Sequence, residues 1–307
     1  MSEIKLYRIT GQSVSRIDGQ SFALEKSLQT LMEANLESFF GVRFLASEYS
    51  TGKTHGGRID TLGLDEDGCP CIIEYKKAAN QNVINQGLYY LDWLMDHKGE
   101  YEILVQKKLG KDQAEAIEWS SPRLICVAGD YNKFDIHSVQ QIDRNIQLVR
   151  YVRFGSDLVL LEVVNTKQAE SELEVKNAPI TNSGKSKNKD RTVEEQLAAA
   201  SPELLDLYES LKESCLAFGD DVQVKVLKLY IAFKKLKNFV TIEVKAGGNF
   251  LICYLKLNPD TVKLEEGFTR DVRNVGHWGT GDLEVVIRSQ KDLQKALPLL
   301  QASYEGS

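Results

Sequence analysis

GRIDTLGLDEDGCPCIIEYKK, residues 57–77, is a stretch in which charged side chains interrupt apolar ones. Two apolar and β-branched runs, residues 58–64 and 70–75, flank a polar segment that ends at Gly68. Short apolar runs bounded by turn residues are typical of paired strands. The stretch therefore predicts a β-hairpin that carries charge where a core would be expected.

The register of this hairpin depends on its turn. If residues 66–68 form a three-residue loop whose final glycine is left-handed, Asp65 pairs with Cys69. Counting back along both strands then places Asp60 directly opposite Glu74. A loop of two or four residues would shift the pairing by one and separate these two acids.

The predicted pairing brings two carboxylates and an ammonium group together. Opposed residues share a face of the sheet with Cβ atoms about 4.5–5.5 Å apart, and alternation places Lys76 on the face of Glu74. Buried like charges are costly unless a cation pairs with them, and such oxygen ligands suit Mg²⁺. Lys76 would then orient a water molecule or stabilise a phosphorus transition state. Taken alone, Asp60, Glu74 and Lys76 fit a solvent-facing hairpin equally well.

Length, charge and cysteine content limit the classes of protein. The chain has 307 residues, enough for one large or two ordinary domains, and a formal net charge of -6. This charge is no overall signature of a nucleic-acid-binding protein, so such a site must be a local patch. The five cysteines lack the Cys-x-x-Cys spacing of zinc or redox sites, and no apolar run reaches about 18 residues. These features predict a cytoplasmic protein with no membrane partner.

Apolar periodicity predicts an α/β fold for the first domain, residues 1–165. Apolar residues at three- and four-residue intervals predict a helix from Ser21 to just before Gly41, and a second long helix that ends near Lys98. Strand-like runs lie between and after these helices. We therefore expect a mixed sheet flanked by helices.

The rest of the chain divides into a linker and a smaller domain. Residues 166–200 are predicted to be a linker, because their apolar signal fades and residues 182–191 are polar and basic. Residues 201–307 are predicted to form a compact α+β domain. Its lysines are interleaved with aromatic residues, which fits a stacking surface for nucleic acid or, more often, half-buried strands. The residues concerned are Lys225, Lys228, Lys234, Lys235, Lys237, Tyr230, Phe233 and Phe239.

Two features of the first domain's helices leave alternatives open. Glu25 borders the apolar stripe of the first helix, so it points toward the hairpin or complements the helix dipole. Gln86 and Tyr90 are four residues apart and share a helix face. They bind a phosphate or an ordered water, or Tyr90 simply packs with Gln86 beside it.

The first domain resembles the PD-(D/E)xK nuclease superfamily, and within it the nuclease half of the NucS-type endonucleases. The matching residues, in order, are Glu25, Gly57-Arg58-Ile59-Asp60, Ile72-Ile73-Glu74-Tyr75-Lys76, Gln86 and Tyr90. The resemblance covers approximately residues 20–165. Ile59 replaces the proline that names the motif, and the N-terminal DNA-binding module of that family is absent. The whole chain also resembles an uncharacterised bacterial family with a Gly-His-Trp-Gly loop in its C-terminal domain.

The resemblance implies a restriction-endonuclease-like core and a role for each matching residue. Asp60 and Glu74 would bind Mg²⁺ or Mn²⁺, with the carbonyl of Tyr75 and the side chain of Glu25 as further ligands. Lys76 would position the attacking water. The remaining predicted contacts to the water, the scissile phosphate or the substrate would come from Gln86, Tyr90, Arg58 and Lys77.

The expected function is therefore metal-dependent endonucleolytic cleavage of DNA, in repair or defence. One alternative is a catalytically silent nuclease fold that binds nucleic acid or a protein partner. Another is a regulatory or structural protein without nucleic acid, since the chain is acidic overall. Whether a homodimer forms and cuts both strands is left open by the sequence.

Overall fold

The computed structural model describes residues 4–77, 83–167 and 191–307. The chain divides into two compact units, Met1–Ala169 and Glu170–Ser307. Each unit has its own β-sheet and its own apolar core. Across the described residues, no helix is both long enough and apolar enough to cross a bilayer. The chain is a mixed α/β protein, as the sequence predicts.

The first unit contains a small hairpin and a seven-stranded mixed sheet. The strands are β1 (Leu6–Thr10), β2 (Ser13–Ile17), β3 (Gly19–Gln20), β4 (Val42–Ser50), β5 (Arg58–Asp65), β6 (Pro70–Lys76), β7 (Arg123–Ala128), β8 (Asn145–Phe154) and β9 (Leu158–Lys167). The sheet order is β3-β8-β7-β6-β5-β4, and β9 pairs with β8. Strand β6 is antiparallel to β5 and parallel to β7, so it lies inside the sheet with a partner on each side.

The described helices of this unit pack beside the sheet. They are α1 (Glu25–Glu33), α2 (Leu36–Phe40), α3 (Gly52–His55), α4 (Val83–Asp96), α5 (Lys98–Leu109), α6 (Lys111–Glu115) and α7 (Lys133–Gln141). The prediction of one helix from Ser21 is wrong in its bounds. The helix begins at Glu25 and is interrupted at Asn35, whose φ of -137° is not helical. The apolar stripe continues across this break because Leu28, Met32 and Leu36 are all buried.

The hairpin between β5 and β6 has the predicted register. The N–H of Asp65 donates to the carbonyl of Cys69 at 2.9 Å, and Gly68 is left-handed with φ +75°. Pairing continues from Leu64 opposite Pro70 to Thr61 opposite Ile73. The next residues along the two strands are the two predicted acids. A three-residue turn therefore determines which side chains meet at the far end of the ladder.

The second unit is a six-stranded antiparallel sheet with helices packed on one face. Its elements are α8 (Val193–Ala198), α9 (Pro202–Leu216), β10 (Gln223–Val226), β11 (Ile231–Lys234), β12 (Asn238–Lys245), β13 (Phe250–Leu255), β14 (Thr269–Asp271), β15 (Leu283–Ile287) and α10 (Gln290–Glu305). The strand order is β10-β11-β12-β13-β15-β14. Apolar residues of α9, α10 and the sheet form one core.

In the C-terminal half the structure corrects the bounds of the predicted linker and favours the more common of the two alternatives for the aromatic residues. The predicted linker, residues 166–200, is too long, because α8 forms within it and Val193 is buried in the core of the second unit. Residues 168–190 of that linker lie outside the described residues. Phe233 and Phe239 are fully buried, so these aromatic rings belong to the core and offer no stacking surface.

Candidate functional site

Two carboxylates bridge β5 and β6 just beyond the last backbone pair of the hairpin. The backbone N–H of Asp60 donates to Oε1 of Glu74 at 3.1 Å. In return, the N–H of Tyr75 donates to Oδ2 of Asp60 at 3.0 Å. The sheet itself therefore holds both acids side by side, as the sequence predicts.

Burial changes the protonation of this acid pair. Glu74 is fully buried, and desolvation followed by the charge of Asp60 raises the pKa of Glu74 from its ordinary value of 4.5 to about 9. Desolvation also raises the pKa of Asp60, although the N–H of Tyr75 and the charge of Lys76 oppose the shift. Without a cation, Glu74 therefore keeps its proton at neutral pH.

One oxygen of the pair lacks a hydrogen-bond partner. Oε2 of Glu74 is buried and accepts no hydrogen bond. Buried polar atoms are almost always satisfied, so this oxygen needs a partner once Glu74 is ionised. The oxygen donors of Asp60 and Glu74 suit a hard divalent cation, which takes one or two protein carboxylates and fills its other positions with water or phosphate.

A larger protein ligand set is not assembled. In residues 4–77, 83–167 and 191–307, no three His, Cys, Asp or Glu side chains are grouped closely enough to hold a metal ion. The resemblance implies the backbone carbonyl of Tyr75 as a further ligand; the side chain of Tyr75 points elsewhere, and its hydroxyl accepts a hydrogen bond from the hydroxyl of Thr61 at 3.4 Å. The donor set that the structure brings together is thus the pair Asp60 and Glu74.

Lys76 and Glu25 lie next to the acid pair. Lys76 ends β6 on the face of Glu74, and its side chain is only 16% exposed. Its Nζ lies 3.9 Å from Oε2 of Glu25, the first residue of α1. The other oxygen of Glu25 accepts the backbone N–H of Lys77 at 2.9 Å. Glu25 therefore points toward the hairpin, and as the first residue of α1 it also lies where an acid complements the helix dipole, so both readings of the sequence agree with the structure.

Helix α4 brings Gln86 and Tyr90 to the start of β5. The buried hydroxyl of Tyr90 accepts a hydrogen bond from the N–H of Arg58 at 3.1 Å and another from Gln86 at 3.3 Å. Gly57 permits this approach, because a Cβ there would lie 2.5 Å from Cε1 of Tyr90. Gln86 and Tyr90 therefore brace the backbone that leads to Asp60.

The two residues predicted to bind substrate differ in their surroundings. The side chain of Arg58 is 68% exposed, and its Nε lies 2.6 Å from Oε2 of Glu48. The ammonium of Lys77 donates to the carbonyl of Ala23 at 3.2 Å. Lys77 thus ties the segment before α1 to the end of β6, whereas Arg58 is held at the surface by a carboxylate.

Glu48 is a residue that the sequence analysis missed. It lies in β4, and the pairs Ser47–Thr61 and Tyr49–Ile59 on either side of it place it opposite Asp60. Its φ is +53°, a left-handed conformation that costs a non-glycine residue roughly 1–2 kcal/mol.

The carboxylate of Glu48 is paired with two cations. Besides Arg58, it receives Nζ of Lys26 at 3.1 Å. Burial acts to raise the pKa of Glu48, but the interactions with Lys26 and Arg58 outweigh it and lower the pKa. Glu48 is therefore ionised. No local pattern in the sequence indicates it, because its place opposite Asp60 depends on a register across a seven-residue connection.

Gln29 is a second missed residue. It is buried on α1, and its Nε2 donates to the carbonyl of Asp60 at 2.8 Å. The same amide contacts Glu33 at 2.9 Å. Helix α1 thus fixes the backbone of Asp60 from one side of the sheet while α4 fixes the preceding residues. The sequence signal for Gln29 is its spacing, because it lies three residues after Lys26 and three residues before Met32.

Comparisons with known proteins give a full-length relative and a match to the second unit. A Haemophilus influenzae protein described as uncharacterised is 30% identical over 306 residues, which covers 98% of this chain and all of that protein. A family model described as a domain of unknown function (DUF5655) matches residues 193–307, from the first residue of α8 onward. No solved structure matches. None of these descriptions names a reaction.

Proposed function

The chain belongs to the family of its Haemophilus influenzae relative, and we propose that this family consists of Mg²⁺- or Mn²⁺-dependent endonucleases acting on DNA. The observation that carries the proposal is the acid pair Asp60 and Glu74, held on one face of the sheet beside Lys76. Its order along the chain is that of the PD-(D/E)xK nucleases. The first unit would then be a restriction-endonuclease-like core.

The acid pair fits a divalent cation by its donor chemistry. Asp60 and Glu74 would hold the ion, and the unsatisfied Oε2 of Glu74 would gain a partner. By resemblance, the carbonyl of Tyr75 and the carboxylate of Glu25 would contribute directly or through water. When bound, such an ion polarises a phosphoryl oxygen and lowers the pKa of water.

The residues around the pair have separate roles in this proposal. Lys76 supplies an ammonium, shielded from solvent, that orients the attacking water or stabilises negative charge on the phosphorane. Glu25 orients Lys76 from 3.9 Å. Gln86 and Tyr90 fix the backbone of Arg58, whose exposed guanidinium suits a phosphate contact.

We propose a cytoplasmic setting, supported by the cysteines. All five are free and buried, which agrees with a reducing compartment. We place the activity in the cytoplasm, where DNA is the substrate. The second unit would select the DNA structure or a protein partner, and a homodimer would permit cleavage of both strands.

Cleavage assays test the proposal. The full-length protein is incubated with single-stranded, duplex, branched and mismatched DNA in Mg²⁺ or Mn²⁺, beside the variants Asp60→Asn and Asp92→Asn. Asp92 is an exposed acid on α4 and serves as the matched control. We expect cleavage by the wild type and by Asp92→Asn, and none by Asp60→Asn. No cleavage of any DNA, or equal cleavage by Asp60→Asn, would contradict it.

A silent nuclease fold is the second candidate, favoured by the fact that the described residues assemble only two acids of the predicted ligand set. It would bind nucleic acid or a protein without hydrolysis. Calorimetry with Mn²⁺ separates the two candidates. An enzyme takes up Mn²⁺ in a manner that Asp60→Asn abolishes, whereas a silent binding protein shows no such uptake.

A further inference from the structure

We infer that Glu48 is a positioning residue that holds Lys26 and Arg58 as a pair of cations for the DNA backbone phosphate next to the acid pair. The inference rests on the proposed nuclease function and deepens it, because it names how the substrate is held. It adds two residues, Glu48 and Lys26, to those that the sequence suggested. Lys26 and Arg58 together form the cation pair.

The backbone of Glu48 is the first observation. Within the part of the chain that the structure describes, Glu48 and Asn249 are the non-glycine residues with positive φ. Asn249 follows a turn between two strands, where asparagine adopts this conformation readily. Glu48 lies inside β4, and glutamate has no such preference. Strain of this kind persists where surrounding structure requires it and is common at functional sites.

The second observation is that the carboxylate of Glu48 forms ion pairs with two cations. Each oxygen of Glu48 receives a different cation, Oε1 from Lys26 at 3.1 Å and Oε2 from Arg58 at 2.6 Å. The cation side chains are 58% and 68% exposed, whereas that of Glu48 is 30% exposed. Exposed ion pairs contribute little to stability. Stability therefore gives no account of the strained backbone, and the arrangement leaves two solvent-facing cations held by one anion.

The location of the cation pair is the third observation. Arg58 and Asp60 are two residues apart on β5, so their side chains leave the same face of the sheet. Lys26 directly follows Glu25 on α1, and Gln29 of the same helix bonds to the carbonyl of Asp60. Both cations thus come from elements that also hold the candidate active site.

Charge explains why such a pair is needed. A phosphodiester approaching Asp60 and Glu74 meets an acidic site in a chain whose formal net charge is -6. Glu48 neutralises one of the two cations and leaves a net positive charge at this position. It occupies Nε of Arg58, and a guanidinium has four further N–H donors for the planar, bidentate recognition of phosphate.

DNA binding without metal tests the inference independently of cleavage. Affinity of the full-length protein for a short fluorescein-labelled oligonucleotide, single-stranded and duplex, is measured in EDTA over a range of salt concentrations. Lys26→Ala and Arg58→Ala are compared with Lys107→Ala, which removes an exposed lysine of α5. We expect each of the first two to weaken binding about tenfold and to reduce the salt slope by about one, and the control to change neither.

The variant Glu48→Asn distinguishes a positioning role from a purely electrostatic one, because the two roles predict opposite changes in DNA affinity. Asparagine accepts a left-handed backbone, so folding is preserved, and the variant has one negative charge fewer. If Glu48 acted only through its charge, its loss would strengthen DNA binding. A positioning role predicts weaker binding and a higher KM in the cleavage assay, with a melting temperature that is not lowered.

These binding experiments separate failure of the proposed role of Glu48 from failure of the proposed nuclease function. Tighter binding by Glu48→Asn, or equal binding by the wild type, Lys26→Ala and Arg58→Ala, would overturn this inference while leaving cleavage intact. No salt-sensitive binding of DNA by the wild type would overturn both.

Discussion

Oε1 of Glu74 accepts the backbone N–H of Asp60 at 3.1 Å, so the buried acid of one strand is bonded to the main chain of the residue that repels it. The bond ties the positions of the two carboxyl groups to the geometry of the sheet. It also keeps Glu74 near a like charge that disfavours its ionisation. A change of either residue should therefore alter three properties together. These are the free energy of unfolding of the metal-free protein, the binding of metal and the cleavage of DNA.

Stability in a chelator should decrease as pH rises. The pKa of Glu74 is about 9 in the folded protein and 4.5 in its ordinary state. Between these values the folded state keeps a proton that the unfolded chain releases, so the free energy of unfolding falls with pH by at most about 1.4 kcal/mol per unit. Thermal unfolding in EDTA checks this. Glu74→Gln should remove this part of the pH dependence, and an unchanged dependence would show that another group causes it.

Asp60→Asn should stabilise the metal-free protein while abolishing cleavage. The asparagine oxygen can still accept the N–H of Tyr75, but the cost of burying the charge of Asp60, which raises the pKa of that group, is gone. A gain of about 1 kcal/mol corresponds to a rise of roughly 2–4 °C in Tm for a domain of this size. Melting curves in EDTA and Mn²⁺ measure it. We expect Mn²⁺ to raise Tm of the wild type only, and a variant still stabilised by Mn²⁺ would exclude Asp60 as a ligand.

Gly57→Ala should damage the site through packing. The new Cβ would lie 2.5 Å from Cε1 of Tyr90, so the ring must move and release the N–H of Arg58. Overpacking of this kind costs about 1–3 kcal/mol, and misplacement of the β5 backbone should reduce kcat by roughly 100-fold. Gly99→Ala is the control, because a Cβ there meets nothing within 4 Å. Comparable loss in both variants would mean that the contact with Tyr90 is unimportant.

The turn of the hairpin should control metal binding from a distance. Deleting Asp65, with residues 66–68 kept as the three-residue turn, would pair Leu64 with Cys69 and shift the register by one, which moves Asp60 and Glu74 to opposite faces. We expect the variant to lose Mn²⁺ uptake in calorimetry. Deleting Gln12 from the β1–β2 hairpin, whose turn also contains a left-handed glycine, Gly11, is the control. If the Asp65 deletion still bound Mn²⁺, the register would not be what assembles the acids.

The acid pair could be predicted from the sequence because a local rule determines it. Turn length and the left-handed Gly68 set the pairing of strands that follow one another directly. Glu48 could not be predicted in the same way. Its strand pairs with β5 across a connection that contains α3, and the β4 ladder shifts register between Phe44 and Ala46. No local pattern reports such a shift.

Some helices and strands could not be predicted because their own sequences carry no clear apolar pattern. Helix α5 buries only Tyr101 and Val105, so it lacks the apolar stripe by which a helix is recognised. Strands β10 and β14 have four and three residues, too few for an alternating pattern. These elements form because larger neighbours provide partners for them, and that information lies outside their own residues.

The position of β6, with a strand bonded on each side, has an evolutionary consequence. Asp60 and Glu74 cannot be displaced without disturbing the interior of the sheet, so the chemistry of the site is hard to modify stepwise. Lys26 and Arg58 are exposed side chains that can be exchanged at little cost to folding. Relatives are therefore expected to diverge in what they recognise more readily than in the reaction that they perform.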